Sequence, residues 1–179
     1  MEVLVLSDVG PYTHRMALRF DPIAEARRQW DSHGWGATDA MAAVTSISRA
    51  HQIVIGRIND LLRPFDLTFS RYEALVLLSF SRTGALPLGK MGERLMVHPT
   101  SVTNTIDRLE RDGLVARAPH PVDRRAVLAT ITDEGRAVTK LATDALVEAE
   151  FGVGELRTET LRDLEASLRK LRRDAGDFE

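Results

Sequence analysis

The chain has 179 residues, of which 44% are hydrophobic and 28% charged, so it can bury one hydrophobic core. Its formal net charge of −2 excludes a polycation, and any nucleic-acid site must use basic residues that cluster locally. The absence of cysteine excludes disulfides, zinc–thiolate sites and cysteine-based catalysis or oxidant sensing. No apolar stretch of about 18 residues occurs and the start lacks a signal-peptide pattern, so we expect a cytoplasmic protein without a membrane span.

The first third of the sequence predicts a tail followed by two helices. Residues 1–20 show no periodicity, whereas Asp21 and Pro22 are typical of a helix N-cap and first helical position. A long helix then runs to about Arg63, where Pro64 ends it. Its apolar stripe consists of Met41, Val44, Ile47, His51, Val54, Ile58 and Leu61. Because of its place on that stripe, His51 is expected to be a hydrogen-bonded core histidine.

The middle of the chain predicts three helices and a hairpin. Thr68 is expected to cap the first helix, residues 83–87 to form a loop, and Lys90 to Met96 to form a short second helix. A turn at residues 97–99 leads into the third helix, and Gly113 provides a left-handed end for it. The residues predicted to face the core are Tyr72, Leu75, Val76 and Leu78, then Met91 and Leu95, then Val102, Ile106 and Leu109. Two β-rich runs, 114–118 and 126–132, flank a polar hairpin tip.

The last part of the chain predicts two more helices. Thr132 has the position of an N-cap for a helix that reaches about Phe151, after which Gly152 and Gly154 break it. The final helix has an apolar face made of Leu161, Leu164, Leu168 and Leu171. We therefore expect a mainly α protein with a small β-wing. The expected units are a tail (1–20), N-terminal helices for dimerisation and a ligand pocket (21–65), a winged helix-turn-helix lobe (66–132) and C-terminal dimerisation helices (133–175).

The third helix of the lobe carries a polar face suited to a DNA major groove. The positions off its core stripe are Thr100, Ser101, Thr103, Asn104, Asp107 and Arg108. All but Asp107 offer a hydroxyl, an amide or a guanidinium, which are groups that contact base edges and phosphates. Pro99 at the helix start leaves the N-terminal dipole available to a phosphate.

The hairpin tip places two adjacent arginines, Arg124 and Arg125, far from the core. A narrow A·T-rich minor groove attracts an inserted arginine through its enhanced negative potential. Asp123 is expected to hold the Arg125 guanidinium in a bidentate pair, so that less rotamer entropy is lost on insertion.

Several segments resemble the multiple-antibiotic-resistance regulator (MarR) family over roughly residues 38–175. They are Leu67-Thr68, Gly113-Leu114-Val115, Asp123-Arg124-Arg125-Ala126 and Ile131-Thr132-Asp133-Glu134-Gly135. The resemblance implies a two-fold dimer built from terminal helices and repression relieved by a small ligand. It also implies that Arg125 enters the minor groove, and that Arg124, Lys90 and Arg94 contact phosphates. Two departures are His98, which stands where a serine or threonine cap is commoner, and Gly89, which would cap without a side-chain acceptor.

The ligand pocket is less well defined by the resemblance. Trp30, Glu73 and Arg117 resemble positions that the urate-responsive subgroup uses for an anionic ligand, and Tyr72 belongs to the same predicted pocket. Glutamate replaces aspartate at position 73, and Thr105 stands where that subgroup has a second arginine. A different anion, a phenolic ligand or no ligand are the alternatives to urate, and Trp30 alone is more typical of a core residue.

Other readings of the motifs are weaker. The segment 84–90 has P-loop spacing, but Met91 lacks the hydroxyl that binds magnesium and Pro87 removes a phosphate-binding amide. The five histidines show no metal-ligand spacing, and no residue pair or nucleophile motif predicts catalysis, so we expect no metal, no cofactor and no enzyme. The alternative to a regulator that binds a pseudo-palindromic duplex as a homodimer is a winged-helix module that docks proteins without DNA.

Overall fold

The computed structural model describes residues 18–120, 122–123 and 126–179, and this part of the chain is mainly helical with one small sheet. The helices are α1 (Pro22–Ser32), α2 (Thr38–Leu62), α3 (Phe69–Phe80), α4 (Leu88–Leu95), α5 (Pro99–Arg111), α6 (Asp133–Glu148) and α7 (Thr158–Asp174). The strands are β1 (Ala85–Pro87), β2 (Val115–Pro119) and β3 (Val127–Ile131). Three-residue 3-10 helices, Arg63–Phe65 and Glu150–Gly152, follow α2 and α6. None of the described helices combines the length and apolar character needed to cross a lipid bilayer.

Two helix starts follow the predicted capping chemistry. The Asp21 carboxylate accepts a hydrogen bond from the Ile23 amide at 2.9 Å, and Thr132 caps α6 through the Gly135 amide at 3.0 Å. The prediction for α3 was wrong in one respect. Thr68 is the N-cap residue but makes no side-chain cap; the Asn59 side chain on α2 accepts the Phe69 amide instead, at 2.8 Å. A side chain distant in sequence therefore caps this helix.

Two further boundaries differ from the predictions. Helix α4 begins at Leu88, directly after Pro87, so Gly89 lies inside the helix and does not cap it. Helix α6 ends at Glu148, three residues before the predicted end at Phe151. Phe151 and Gly152 both have positive φ, 53° and 72°, which is incompatible with continued right-handed helix.

The sheet contains a strand that the sequence did not predict. Residues 85–87 were expected to lie in a loop, yet β1 pairs with β3 antiparallel, with Leu86 opposite Ala129. Strand β2 pairs with the other side of β3, so the strand order is β1-β3-β2. Three residues carry too little alternation to signal a strand, and their backbone groups are paired only because β3 lies alongside.

The core is formed by α3, α4, α5 and the sheet of the predicted lobe, together with α6 and the C-terminal end of α2. Its fully buried large side chains are Leu62, Leu75, Leu78, Met91, Ile106, Leu109 and Leu146. The stripe of α2 joins this core only at its C-terminal end, through Ile58 and Leu62. Val44 and Ile47 are exposed in the single chain, and so is His51, which contradicts the expectation of a core histidine. On α7, Leu161 and Leu168 are half-buried whereas Leu164 and Leu171 are exposed.

Candidate nucleic-acid interface

Helices α4 and α5 form a helix-turn-helix whose turn is tightly closed. Met96 takes the left-handed conformation, and the Val97 amide donates back to the Gly92 carbonyl at 3.1 Å. The His98 imidazole Nδ1 accepts the Thr100 amide at 3.2 Å and so caps α5, with Pro99 as its first residue. This cap occupies one of the N-terminal amides that the sequence had left open to a phosphate.

Helix α5 separates a buried face from an exposed polar face, as predicted. Its buried residues are Val102, Ile106 and Leu109. The predicted DNA-contacting residues Thr100, Ser101, Thr103, Asn104 and Arg108 are all exposed. Lys90 and Arg94 on α4 are exposed as well, so both helices present cationic or hydrogen-bonding side chains to solvent. The arrangement leaves the predicted contacts accessible to a duplex.

Arg117 on β2 bonds to α5, which is the recognition helix of the helix-turn-helix, that is, the helix predicted to enter the major groove. Its Nη2 lies 2.5 Å from an Asp107 carboxylate oxygen and donates to the Thr103 carbonyl at 3.1 Å. Its backbone amide donates to the Glu110 carboxylate at 3.2 Å. The Arg117 side chain is only 24% exposed, so this ion pair is partly shielded from water. Asp107 and Glu110, the acidic residues of α5, therefore join that helix to the wing.

The wing is the hairpin formed by β2 and β3, and its base is well defined. Pro119 and Val127 are the last paired residues, and the His120 amide donates to the Ala126 carbonyl at 3.0 Å. His120 Nδ1 also accepts two backbone amides, those of Val122 at 3.2 Å and Asp123 at 3.0 Å. Sequence reasoning missed this histidine turn, whose signal was a histidine two residues after the predicted strand.

Two predicted wing residues, Arg124 and Arg125, lie outside the described residues, and with them the expected pairing of Arg125 to Asp123. Asp123 itself lies at the hairpin tip, where its carbonyl accepts the Ala126 amide at 3.0 Å.

A cavity of about 130 Å³ lies between α3, α4 and α5. It is lined by Ser70, Glu73 and Ala74 of α3, Met91 and Leu95 of α4, Val97 of the turn, and Ser101, Val102, Thr105 and Ile106 of α5. Of the four predicted ligand residues, Glu73 lines this cavity and the other three do not. Burial raises the pKa of the half-buried Glu73 carboxyl above its ordinary value.

The remaining predicted ligand residues have partners elsewhere. The Trp30 indole donates to the Gly36 carbonyl at 2.9 Å and packs edge-on against Trp35. The buried Tyr72 hydroxyl lies 3.0 Å from the Thr143 hydroxyl of α6. Arg117 is held by α5, as described above. The structure therefore does not bring these four side chains into one pocket within a single chain.

This succession of helix, tight turn, polar helix and hairpin defines a winged helix-turn-helix protein of the DNA-binding class. The MarR family model matches residues 68–127. The MarR family regulator Sco5413 of Streptomyces coelicolor superposes with a TM-score of 0.75 at 55% identity, over 79% of this chain and 98% of its own. The regulator Mb0904 of Mycobacterium bovis is 34% identical over 83% of this chain and 92% of its own. CouR of Rhodococcus jostii RHA1 was solved with p-coumaroyl-CoA. It has a TM-score of 0.61 at 26% identity, over 70% of this chain and 87% of its own.

The chain belongs to the MarR family of transcriptional regulators. It is therefore a DNA-binding regulator of transcription, and the alternative of a winged-helix module that never binds DNA is set aside.

Proposed function

We propose that this regulator is a repressor that binds a pseudo-palindromic operator as a homodimer, with α5 of each subunit in the major groove. The observation that carries the proposal is the polar face of α5, exposed opposite three buried core residues and braced from behind by Arg117. A helix fixed on its inner face can hold its outer side chains in a constant register against base edges. We assign DNA binding to residues 66–132 and dimerisation to residues 21–65 and 133–175.

Exposed apolar side chains on the terminal helices support the homodimer. Those on α2 are Val44, Ile47 and Ile53, and those on α7 are Leu164 and Leu171. An isologous two-fold interface is the commonest way for such surfaces to be covered. With one recognition helix per subunit, we expect two half-sites centred about one helical turn, roughly 10 base pairs, apart.

The direct test is selection of binding sites from random duplexes, followed by footprinting of the purified protein. We expect symmetric protection, and Asn104→Ala is expected to cost about 1–3 kcal/mol at a selected site because an amide that contacts a base is lost. Arg94→Ala should weaken all duplexes alike and reduce the salt slope by about one per subunit. Lys140→Ala, which removes an exposed cation from α6, is the charge-matched control. Protection of a single unsymmetrical half-site would contradict the two-fold arrangement.

For the wing we propose that Arg125 enters a minor groove, that Arg124 contacts a phosphate, and that Asp123 orients Arg125. The proposal rests on the sequence of the hairpin tip and its resemblance to the family. Arg125→Ala should cost roughly 1–3 kcal/mol at a good site and much less at a G·C-rich one. Arg124→Ala should mainly reduce the salt slope, and Asp123→Ala should give a smaller loss than Arg125→Ala. Operator binding by Arg125→Ala at wild-type strength would remove the wing from the interface.

We further propose that a small ligand releases the DNA and that the protein acts by binding, without catalysis, in the cytoplasm where its target DNA lies. The complex of CouR with p-coumaroyl-CoA supports ligand control in a protein of this fold. Here the cavity beside α5 offers a place from which a ligand could reach the DNA-contacting helix.

A further inference from the structure

The cavity between α3, α4 and α5 has the dimensions of a small-molecule site. Its volume of about 130 Å³ is close to that of engineered protein cavities that take up a single benzene ring. Most of its lining is apolar: Ala74, Met91, Leu95, Val97, Val102 and Ile106. The Met91 thioether is a favourable neighbour for an aromatic ring. Size and lining together favour a single-ring organic molecule.

The polar part of the lining consists of one carboxylate and three neutral hydroxyls, so its only charge is negative among the described residues. Among the described residues around the cavity, Glu73 is the only ionisable one; Ser70, Ser101 and Thr105 add hydroxyls from α3 and α5. No hydrogen bond or ion pair joins the Glu73 carboxylate to another described residue. The pKa of this carboxyl is raised by burial, which means that its charge lacks full compensation. Arg117, the expected partner of an anionic ligand, is already engaged by Asp107 and Glu110.

We propose that this cavity binds a single-ring organic cation, with the ammonium group at the Glu73 carboxylate and the ring against Met91 and Leu95. This assignment replaces the anionic or phenolic effector that the sequence suggested. An anion would meet an uncompensated carboxylate in a partly dry site, which is unfavourable, whereas an ammonium group supplies the missing partner. A bare metal ion would find only one carboxylate beside three neutral hydroxyls in a mostly apolar lining, a poor set of ligands for a hard cation.

The cavity also lies next to the helix that is predicted to contact DNA. Ser101 and Thr105 line the cavity from α5, one turn apart, while Thr100 and Asn104 next to them face solvent. A ligand in the cavity would therefore contact the same helix that carries the predicted DNA-contacting residues. This regulatory consequence rests on the proposed function, whereas ligand binding itself does not.

The test compares three ligands that share a ring and differ in charge: benzylammonium, benzyl alcohol and benzoate. Isothermal titration of the full-length protein at neutral pH is expected to show benzylammonium binding at least about tenfold more tightly than either of the others. Because binding requires the ionised carboxylate, affinity for benzylammonium should fall as pH is lowered through the pKa of Glu73, with proton release on binding. Tighter binding of benzoate than of benzylammonium would overturn the proposal.

Two variants distinguish the contribution of the Glu73 charge from that of the cavity volume. Glu73→Gln should lose about tenfold or more in benzylammonium affinity and its pH dependence, with little change for benzyl alcohol. Thr105→Leu, which adds bulk to the cavity lining without removing the carboxylate, should weaken benzylammonium and benzyl alcohol together. Glu148→Gln, at an exposed glutamate of α6, is the control and should bind as wild type does. Unchanged benzylammonium affinity in Glu73→Gln, with a thermal transition like that of wild type, would overturn the assignment.

Operator binding measured with and without benzylammonium tests the regulatory step separately. Release of operator by the cation, absent in Glu73→Gln, supports both the ligand class and the proposed effector control. Binding without release supports the ligand site and contradicts only the effector role given to it under the proposed function.

Discussion

The winged helix-turn-helix lobe and the terminal helices differ in how completely one chain covers their apolar residues. In the lobe, Leu75, Leu78, Ile106 and Leu109 are completely buried within the single chain. Helix α7, by contrast, has no buried residue, and its Leu164 and Leu171 are 50% and 54% exposed. The lobe therefore covers its apolar residues by contacts within the chain, whereas α7 and the N-terminal part of α2 leave apolar residues exposed, which the homodimer proposed above would cover.

One of the tightest contacts between the two regions lies where α6 leaves the sheet. Thr132 caps α6 and also donates from its hydroxyl to the Gly113 carbonyl at 2.8 Å. Three residues later, a Cβ on Gly135 would overlap the carbonyl oxygen of Leu114 and approach the Ile131 side chain to 2.9 Å. Glycine is required here by the closeness of the backbone and not by its φ angle, so α6 packs directly against the lobe at this point.

The largest expected effect follows from that contact. Gly135→Ala should destabilise the protein by about 3 kcal/mol or more, because the backbone oxygen of Leu114 cannot move aside without shifting the strand that follows it. Gly89→Ala is the matched control: it lies in α4 with nothing within 4 Å of its Cβ position, and should be neutral or slightly stabilising. Urea denaturation of both variants measures the difference. Equal stability of the two would mean that α6 is not held against the lobe as described.

The next prediction concerns the terminal helices. Leu164→Asp should raise the dissociation constant of the homodimer at least about a hundredfold, because a charge would be buried in an apolar interface. Ala166→Asp adds the same charge to an exposed position on the opposite side of α7 and should leave the dimer intact. Analytical ultracentrifugation over a range of concentrations distinguishes the two variants. If Leu164→Asp dimerises as wild type does, α7 is not part of the interface.

The same contrast between regions shows what the sequence could predict. Helix α5 was predicted with its buried face correct, since Val102, Ile106 and Leu109 recur at helical spacing and Pro99 begins the helix by its own chemistry. On α2 the apolar spacing was equally clear, yet only its C-terminal end meets the core. Periodicity identifies an apolar face but does not say whether the same chain or another one covers it.

Features that depend on contacts distant in sequence were missed. Strand β1 exists only because β3 pairs with it, and α3 is capped by Asn59 from another helix. At the candidate site, the outward face of α5 was predicted, but the role of Arg117 was not. Its engagement by Asp107 and Glu110 depends on how β2 passes behind α5, which no local pattern encodes.

A smaller effect is expected at the start of the recognition helix, within the self-contained lobe. His98→Ala removes the acceptor of the Thr100 amide and should cost about 1 kcal/mol of stability. His98→Ser keeps a side-chain oxygen in the N-cap position and should recover most of that loss. Thermal unfolding of both variants at one pH provides the measurement. If alanine and serine are equivalent at this position, the cap contributes nothing.

The smallest expected effect sharpens the comparison at Glu73, a half-buried charge of the lobe that has no hydrogen bond or ion pair to another described residue. Burial raises the pKa of Glu73, so the folded state favours its protonated form. The resulting stabilisation is present below the pKa of the unfolded chain and is lost as pH rises through the raised pKa of the folded state. Glutamine resembles the protonated form at every pH. Glu73→Gln should therefore be more stable than wild type near neutral pH, by well under about 1 kcal/mol given solvent screening, and equal to it in acid.

Glu25 on α1 provides a control, because its pKa is shifted in the opposite direction from that of Glu73. Hydrogen bonds from Gln29, at 2.9 Å, and from Arg28, together with the charge of Arg28, hold the pKa of this carboxyl below its ordinary value. Its contribution is present above the pKa of the unfolded chain and is lost as pH falls through the lowered pKa. Glu25→Gln should thus be slightly less stable than wild type near neutral pH and should converge with it in acid. Urea midpoints measured across this pH range for both variants should deviate from wild type in opposite directions. A Glu73→Gln variant that is less stable at neutral pH would show that the carboxylate of Glu73 is compensated in the folded protein.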